Sequence, residues 1–116
     1  MSDERALLEQ AYAAFNRRDI DAVLALMQPD VDWPNGMEGG YVHGHDEVRA
    51  YWTRQWGLID PHVEPIGFET DEAGQITVEV HQVVRDLAGN LLGDQIVWHT
   101  YQLEDDLIKR MEIRKS

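Results

Sequence analysis

Cysteine is absent from this 116-residue sequence, and basic residues are few. Without cysteine the chain has no disulfide framework and no thiolate chemistry, a composition that suits a reducing cytosol. Ten lysine and arginine residues stand against 22 acidic residues, so the formal net charge is −12. Because binding to nucleic acid requires clustered cationic side chains, this charge argues against nucleic acid as a partner, and it disfavours anionic membranes as well.

Several sequence patterns are also missing. No run approaches the ~18 consecutive apolar residues that a membrane span requires. The first residues are acidic and lack the basic and then apolar layout of a signal peptide, so we expect a cytoplasmic protein. The Gly-x-Ser-x-Gly motif, a phosphate-binding glycine loop and the dinucleotide fingerprint do not occur. We therefore expect neither covalent serine catalysis nor a bound cofactor.

The apolar residues that are present follow helical spacing first and strand spacing later. The length suits one domain over residues 1–116. A 3.6-residue period predicts helices over 2–18 and 19–28, and a third that opens at Gly44 and ends near Gly57. Alternation and turn residues predict short strands over 31–33 and 41–43, a strand near 62–70, and three long strands: Ile76–Arg85, Gln95–Leu103 and Leu107–Ile113. This order predicts an α+β fold, with helices on one face of a mostly antiparallel sheet.

The strand that begins at Gln95 is apolar on both faces, since Ile96, Val97 and Trp98 follow one another. Such strands are usually covered on both sides. The helices can cover one side only, which leaves Trp98, Ile96 and Val83 on the other. An exposed apolar patch of this kind marks a partner surface, so we predict a homodimer through the outer sheet face.

Three polar residues fall on faces that we expect to point inward. His99 alternates with Val97 and Tyr101, and its reference pKa of ~6.5 suits proton transfer near neutrality. Gln82 lies on the apolar face of its strand, and Tyr12 lies on the apolar stripe of the first helix. Each has an alternative structural role: His99 as a core histidine with one protein partner, Gln82 as its partner across the strands, and Tyr12 as a core tyrosine.

Aromatic residues are numerous for so small a chain. Trp33, Trp52 and Trp56 could form the wall of an apolar ligand pocket, and Tyr101 follows His99 on the same strand face. The alternative for each tryptophan is ordinary core packing. His43 and His45 lie two residues apart near Glu38, but no third ligand has a telling spacing, so we expect no metal site.

The order of elements and three segments resemble the nuclear transport factor 2-like superfamily and its SnoaL-like polyketide cyclase branch. The first segment is Tyr12–Asp21 followed by Leu26–Val31, the second is Gly44–Trp52 at the opening of the third helix, and the third is the closing strand Asp105–Ile113. The resemblance implies a cone-shaped curved sheet wrapped around three helices, a cystatin-like α+β barrel, with a pocket between sheet and helices. It also implies a dimer through the outer face of the sheet.

The resemblance implies chemistry only position by position. Ketosteroid isomerases of this superfamily use a tyrosine on the first helix, a protonated aspartate on a late strand and an aspartate base. The counterparts here are Ala11, with Tyr12 one residue along, then His99 and Asn35 respectively. All three depart from that pattern, which argues against steroid isomerisation and leaves His99 as the candidate acid–base group.

We therefore expect a small enzyme without a cofactor, of the isomerase, cyclase or dehydratase type, that acts on an apolar carbonyl-bearing metabolite. His99, Asn35 and Tyr12 are its candidate catalytic residues, and the candidate ligand-binding residues are Trp33, Trp52, Trp56, Gln82 and Tyr101. The alternative is a non-catalytic domain that binds a small ligand or forms dimers.

Overall fold

Helices and strands occur along the chain in the expected order in a computed structural model, which describes residues 4–35 and 39–114. The three helices are α1 (Glu4–Asn16), α2 (Ile20–Leu24) and α3 (Gly44–Trp56). The strands are β1 (Met27–Pro34), β2 (Tyr41–His43), β3 (Ile59–Thr70), β4 (Ile76–Asp86), β5 (Leu91–Glu104) and β6 (Leu107–Arg114). Among these helices, none is long and apolar enough to cross a membrane.

The strands form one curved sheet in the order β2-β1-β6-β5-β4-β3. Neighbouring strands are antiparallel except β1 and β6, which are parallel. This arrangement confirms the α+β prediction. The sheet does not close, because β2 and β3 form its edges, so the predicted barrel is an open one.

The long strands bury one face by strict alternation. Val78 and Val80 of β4 and Val97 and Tyr101 of β5 are buried, and their side chains point toward the helices. Helix α1 contributes Leu8, which is fully buried in the same core. A fully buried apolar side chain contributes about 1.5–3 kcal/mol relative to an exposed one. The inner face of β4 and β5 therefore holds the helices in place.

Asn16, the last residue of α1, attaches that helix to the edge strand β3. Its side-chain amide donates to the Val63 carbonyl oxygen at 2.7 Å, and the Val63 N–H donates to its Oδ1 at 3.0 Å. An unpaired backbone group on an edge strand would otherwise have to bond water. The two hydrogen bonds set the end of α1 against β3.

The second helix is shorter than the sequence predicts. The spacing favours helix through residue 28, but α2 ends at Leu24 and β1 begins at Met27. The Ile108 N–H donates to the Leu26 carbonyl oxygen at 2.8 Å, and Met27 pairs with Ile108. Pairing with β6 thus overrides a helical pattern that continues for one more turn.

Two prolines that were expected to interrupt the chain lie inside a strand. Strand β3 starts at Ile59 rather than near residue 62, and it includes Pro61 and Pro65. An edge strand tolerates proline because the side without a neighbour needs no N–H donor. Strand β5 similarly starts at Leu91 rather than Gln95. Residues 2 and 3 of the predicted first helix lie outside the described residues, as does Glu38.

The outer face of the sheet carries the residues assigned to it from the sequence. Val83, Ile96 and Trp98 are half-buried there, and the Arg114 guanidinium lies 5.5 Å from the Trp98 ring centre. His81 bonds Asp94 through Nε2 at 2.6 Å on the same face.

Candidate functional site

A cavity of about 200 Å³ lies between the helices and the inner face of the sheet. Helix α1 contributes Tyr12 and Phe15 to its lining, and α3 contributes Tyr51 and Trp52. The strands contribute the polar residues Gln82 and His99 together with apolar side chains. The described residues that line this cavity include no aspartate, glutamate, lysine or arginine. The site is therefore an apolar pocket with a few neutral polar groups, the usual composition of a small-molecule site.

Three buried side chains form a hydrogen-bond chain along one wall. The Tyr101 hydroxyl donates to the Tyr12 hydroxyl oxygen at 2.8 Å, and the Tyr12 oxygen lies 2.7 Å from Nδ1 of His99. Strand β5 supplies His99 and Tyr101, which lie two residues apart and therefore share the inner face of the sheet. Helix α1 supplies Tyr12 from the opposite layer. The contact thus joins the helix to the sheet inside the pocket.

The direction of this chain assigns the histidine tautomer. A hydroxyl has one hydrogen to donate, and Tyr12 already accepts from Tyr101. If Tyr12 also accepted from Nδ1 of His99, its own hydrogen would have no acceptor among the described residues, so we assign that hydrogen to Nδ1 and the imidazole hydrogen to Nε2. Within residues 4–35 and 39–114, Nε2 has no hydrogen-bond partner. His99 lines the cavity, so this N–H is available to a ligand.

Burial keeps all three groups neutral near pH 7. Removal from water disfavours the imidazolium ion and lowers the pKa of His99 to about 4. The same effect disfavours phenolates: it raises the pKa of Tyr12 well above its usual value, and it raises the pKa of Tyr101. The neutral His99 can donate from Nε2 as assigned. If the hydrogen bonds between Tyr101, Tyr12 and His99 ran in the opposite direction, Nδ1 would carry the imidazole hydrogen and Nε2 would be an acceptor.

The tryptophans form two layers. Trp33 and Trp52 line the cavity and pack edge to face, with ring centres 5.5 Å apart. Trp56 lies behind them: it stacks on Trp52 at 5.8 Å, outside the described lining, and the Arg18 guanidinium lies 5.0 Å from its ring centre. Of the tryptophans predicted as pocket wall, the structure thus places Trp56 one ring away from the space.

Two glutamine side chains reach the cavity. Gln82 lines it from β4, and within the described residues its side-chain amide makes no hydrogen bond. Gln55 lines it from α3 and donates through Nε2 to the Tyr51 hydroxyl at 3.2 Å. Its Oε1 is buried and finds no partner among the described atoms. A buried amide oxygen without a partner, such as that of Gln55, is costly in a folded protein, and both glutamines are therefore candidates for ligand contacts.

Asn35 is buried but lies outside the described lining. Its backbone forms two hydrogen bonds with the segment after β1: its N–H donates to the Gly40 carbonyl oxygen at 2.9 Å, and its own carbonyl oxygen accepts from Gly39 at 2.8 Å.

His43 and His45, which lie two residues apart in the sequence, have separate partners in the structure. The His43 ring bonds the Asp32 carboxylate, and Nε2 of His45 lies 3.0 Å from the Met27 carbonyl oxygen.

The sequence analysis missed Gln55 and Tyr51 as residues of the site. A helical signal for both existed, since Gln55 follows Tyr51 by four residues and so shares a face with it. A glutamine gives no apolar signal, and its hydrogen bond to the Tyr51 hydroxyl depends on the folded helix.

The SnoaL-like domain family matches residues 8–111, and the chain belongs to this family. Among solved structures, an NTF2-like protein of unknown function from Burkholderia pseudomallei has 31% identity and a TM-score of 0.85 over 100% of this chain and 92% of that one. TerC, co-crystallised with polyporic acid, has 25% identity and a TM-score of 0.86 over 99% of this chain and 92% of its own.

A Mycobacterium tuberculosis protein in complex with estradiol-17beta-hemisuccinate shares the fold at 18% identity, with a TM-score of 0.82 over 97% of this chain and 93% of that one. No match was found among functionally curated proteins. The comparisons thus establish the SnoaL-like family, and two of the structures that share the fold were crystallised with a small molecule.

Proposed function

We propose that this protein is a small enzyme that needs no cofactor and uses acid–base chemistry on an apolar metabolite with a carbonyl group. The observation that carries the proposal is the assigned Nε2–H of His99, which ends a buried hydrogen-bond chain in an apolar cavity and has no partner among the residues that the structure describes. A hydrogen-bond donor held where water is largely excluded stabilises an oxygen that gains negative charge. The crystal of TerC with polyporic acid supports occupation of such a pocket by a small organic molecule.

In the proposed reaction, the Nε2–H of His99 donates to the carbonyl oxygen of the substrate. When the adjacent C–H bond breaks, its electron pair moves toward that oxygen, and a water molecule that enters the cavity with the substrate accepts the proton. The developing negative charge raises the pKa of the imidazole, since a nearby anion favours the charged form. Tyr12 keeps Nδ1 engaged, and Trp33 and Trp52 contribute to the apolar wall of the cavity. Isomerisation, aldol-type cyclisation and dehydration next to a carbonyl group can each pass through an enolate of this kind.

Hydrogen exchange at an aryl ketone tests the proposal without knowledge of the substrate. We expect the protein to accelerate replacement of the methyl hydrogens of acetophenone by deuterium in D2O, followed by NMR. His99→Ala should reduce the protein-dependent rate at least ~100-fold, the scale of general acid–base catalysis. Gln102→Met, an exposed residue of the same strand, should leave it unchanged. Equal rates in His99→Ala and the unaltered protein would contradict the role of His99.

A second candidate function is passive binding of a small ligand. It is favoured by the described lining, which contains no carboxylate to act as a base, and by the low pKa of His99. Acetophenone that binds without any acceleration of exchange would select this function.

We also propose that two copies associate through the outer sheet face, where Val83, Ile96 and Trp98 remain partly exposed. Apolar area on that face supports the association. The cysteine-free composition supports a cytoplasmic location.

A further inference from the structure

We propose that the ligand is an uncharged ring compound with polar groups at two opposite ends, an acceptor oxygen at His99 and a hydroxyl at Gln82. This inference rests on the proposed pocket but adds the substrate class. His99 alone requires one acceptor on the ligand. The position of Gln82 requires a second polar group at a set distance from the first.

The register of the sheet gives that distance. His99 of β5 pairs with Val78 of β4, and Gln82 lies four residues further along β4 on the same inner face. Four strand residues span about 13 Å. The intervening pair, Val80 and Val97, is buried and apolar. The two polar positions are thus separated along the strands by an apolar pair, so side chains that project straight from the sheet meet different ends of a ligand.

The polar group at the Gln82 end is a neutral amide. The Gln82 side chain makes no hydrogen bond within the described residues, and Gln55 also lines the cavity. An amide oxygen accepts from a hydroxyl, and an amide N–H₂ donates to its oxygen. No charged side chain belongs to the described lining, and His99 is neutral. A carboxylate or an ammonium ion on the ligand would therefore lose its hydration without a counter-charge.

The volume limits the size of the ligand. A cavity of about 200 Å³ exceeds the ~150 Å³ of an apolar cavity that accommodates benzene. One six-membered ring with substituents at opposite positions fits this space. Its two substituents and their hydrogen bonds, each about 2.8 Å long, bridge the distance between the two positions.

Calorimetric titration with four para-substituted acetophenones tests the inference. The probes are acetophenone, 4-hydroxyacetophenone, 4-methylacetophenone, whose methyl group matches the hydroxyl in size, and 4-acetylbenzoate, which adds a carboxylate. We expect the hydroxyl compound to bind roughly three- to tenfold more tightly than the methyl compound, the scale of one hydrogen bond to a neutral group. We expect 4-acetylbenzoate to bind most weakly.

Gln82→Met keeps the length of the side chain and removes its hydrogen-bonding groups. The ratio between hydroxyl and methyl compounds should fall to about one in this variant, while the Kd of 4-methylacetophenone changes less than about twofold. Gln102→Met is the matched control, because Gln102 is exposed on β5, and it should keep the full ratio. Gln82→Val serves as a second variant suited to a strand, with circular dichroism to confirm that both fold.

The outcomes separate this inference from the proposed function. If acetophenone binds but hydroxyl and methyl compounds bind equally, or if the ratio persists in Gln82→Met, the two-ended ligand is wrong and the pocket stands. Tight binding of 4-acetylbenzoate overturns the uncharged class. If none of the four compounds binds, the pocket and the inference fail together.

Discussion

Two histidines on neighbouring strands of one sheet show how strongly position decides chemistry. His81 of β4 lies on the outer face, where it bonds Asp94 at 2.6 Å with 40% of its side chain exposed. His99 of β5 lies on the inner face with 5% exposed, and its partner is the neutral hydroxyl of Tyr12. A carboxylate compensates an imidazolium ion, whereas a buried hydroxyl does not. The difference teaches that alternation along a strand, rather than residue type, assigns the reactive imidazole.

The largest expected effect is the loss of unfolding free energy at low pH that comes from the buried imidazole of His99. Because its folded pKa is about 4 and its unfolded reference is ~6.5, the unfolded chain takes up the proton first as the pH falls. The penalty is absent above pH ~6.5, grows as the pH falls, and reaches about 3 kcal/mol of unfolding free energy at pH 4. Urea unfolding at pH 7 and pH 4 measures it.

Substitution of His99 sharpens this measurement. His99→Gln cannot titrate, so its loss of stability between the two pH values should be smaller by about 3 kcal/mol than that of the unaltered protein. Gln102→Met, which changes an exposed residue of the same strand and adds no titratable group, should keep the full loss. Parallel pH dependence in His99→Gln and the unaltered protein would mean that burial does not control this imidazole.

An intermediate effect on stability is expected from Tyr12 and Tyr101, the two tyrosines in the hydrogen-bond chain with His99. Tyr12→Phe removes the central hydroxyl and leaves Nδ1 of His99 and the Tyr101 hydroxyl without their partner, at a cost of about 2 kcal/mol. Tyr101→Phe removes only the terminal donor and should cost about 1 kcal/mol. Denaturant midpoints measure both. Equal losses would show that the three groups do not form a directed chain.

The smallest effect on subunit stability is expected on the outer face. Trp98→Glu, at a half-buried position, should change the unfolding free energy of one subunit by less than about 1 kcal/mol. It should nevertheless convert the proposed dimer to a monomer, because it places charge on the apolar contact. Light scattering measures the mass, for which one chain contributes 13.4 kDa. A monomer before any substitution would remove the dimer proposal.

The local pattern of apolar residues predicted the long strands correctly but not the places where one element ends and the next begins. Alternation from Ile76 onward predicted β4 and the inward orientation of His99, because one side of that sheet must meet the helices. The end of α2 and the prolines of β3 were missed, since both depend on neighbours distant in sequence: Ile108 beside Leu26, and the absence of a further strand beyond β3 among the described residues.

The candidate site divides in the same way. Tyr12 and Trp52 lie on helical stripes that any core-facing helix would show, so the sequence placed them near the pocket. The bond between Tyr12 and His99 was not predictable, because it depends on how far α1 sits from β5. Gln55 was missed because a polar side chain in that helix suggests solvent, and the amide nitrogen reaches inward through Tyr51 alone among the described contacts.

The parallel pairing of β1 with β6 has a consequence for how the chain reaches its native state. Met27 lies beside Ile108, 81 positions further along the chain (108 − 27 = 81). Loop closure over such a separation slows folding, because its entropy is lost before the contact forms. Strands β1 and β2 therefore join the sheet only after β6 has formed. During folding, we expect the amides of β1 and β2 to gain protection from hydrogen exchange after those of β4 and β5.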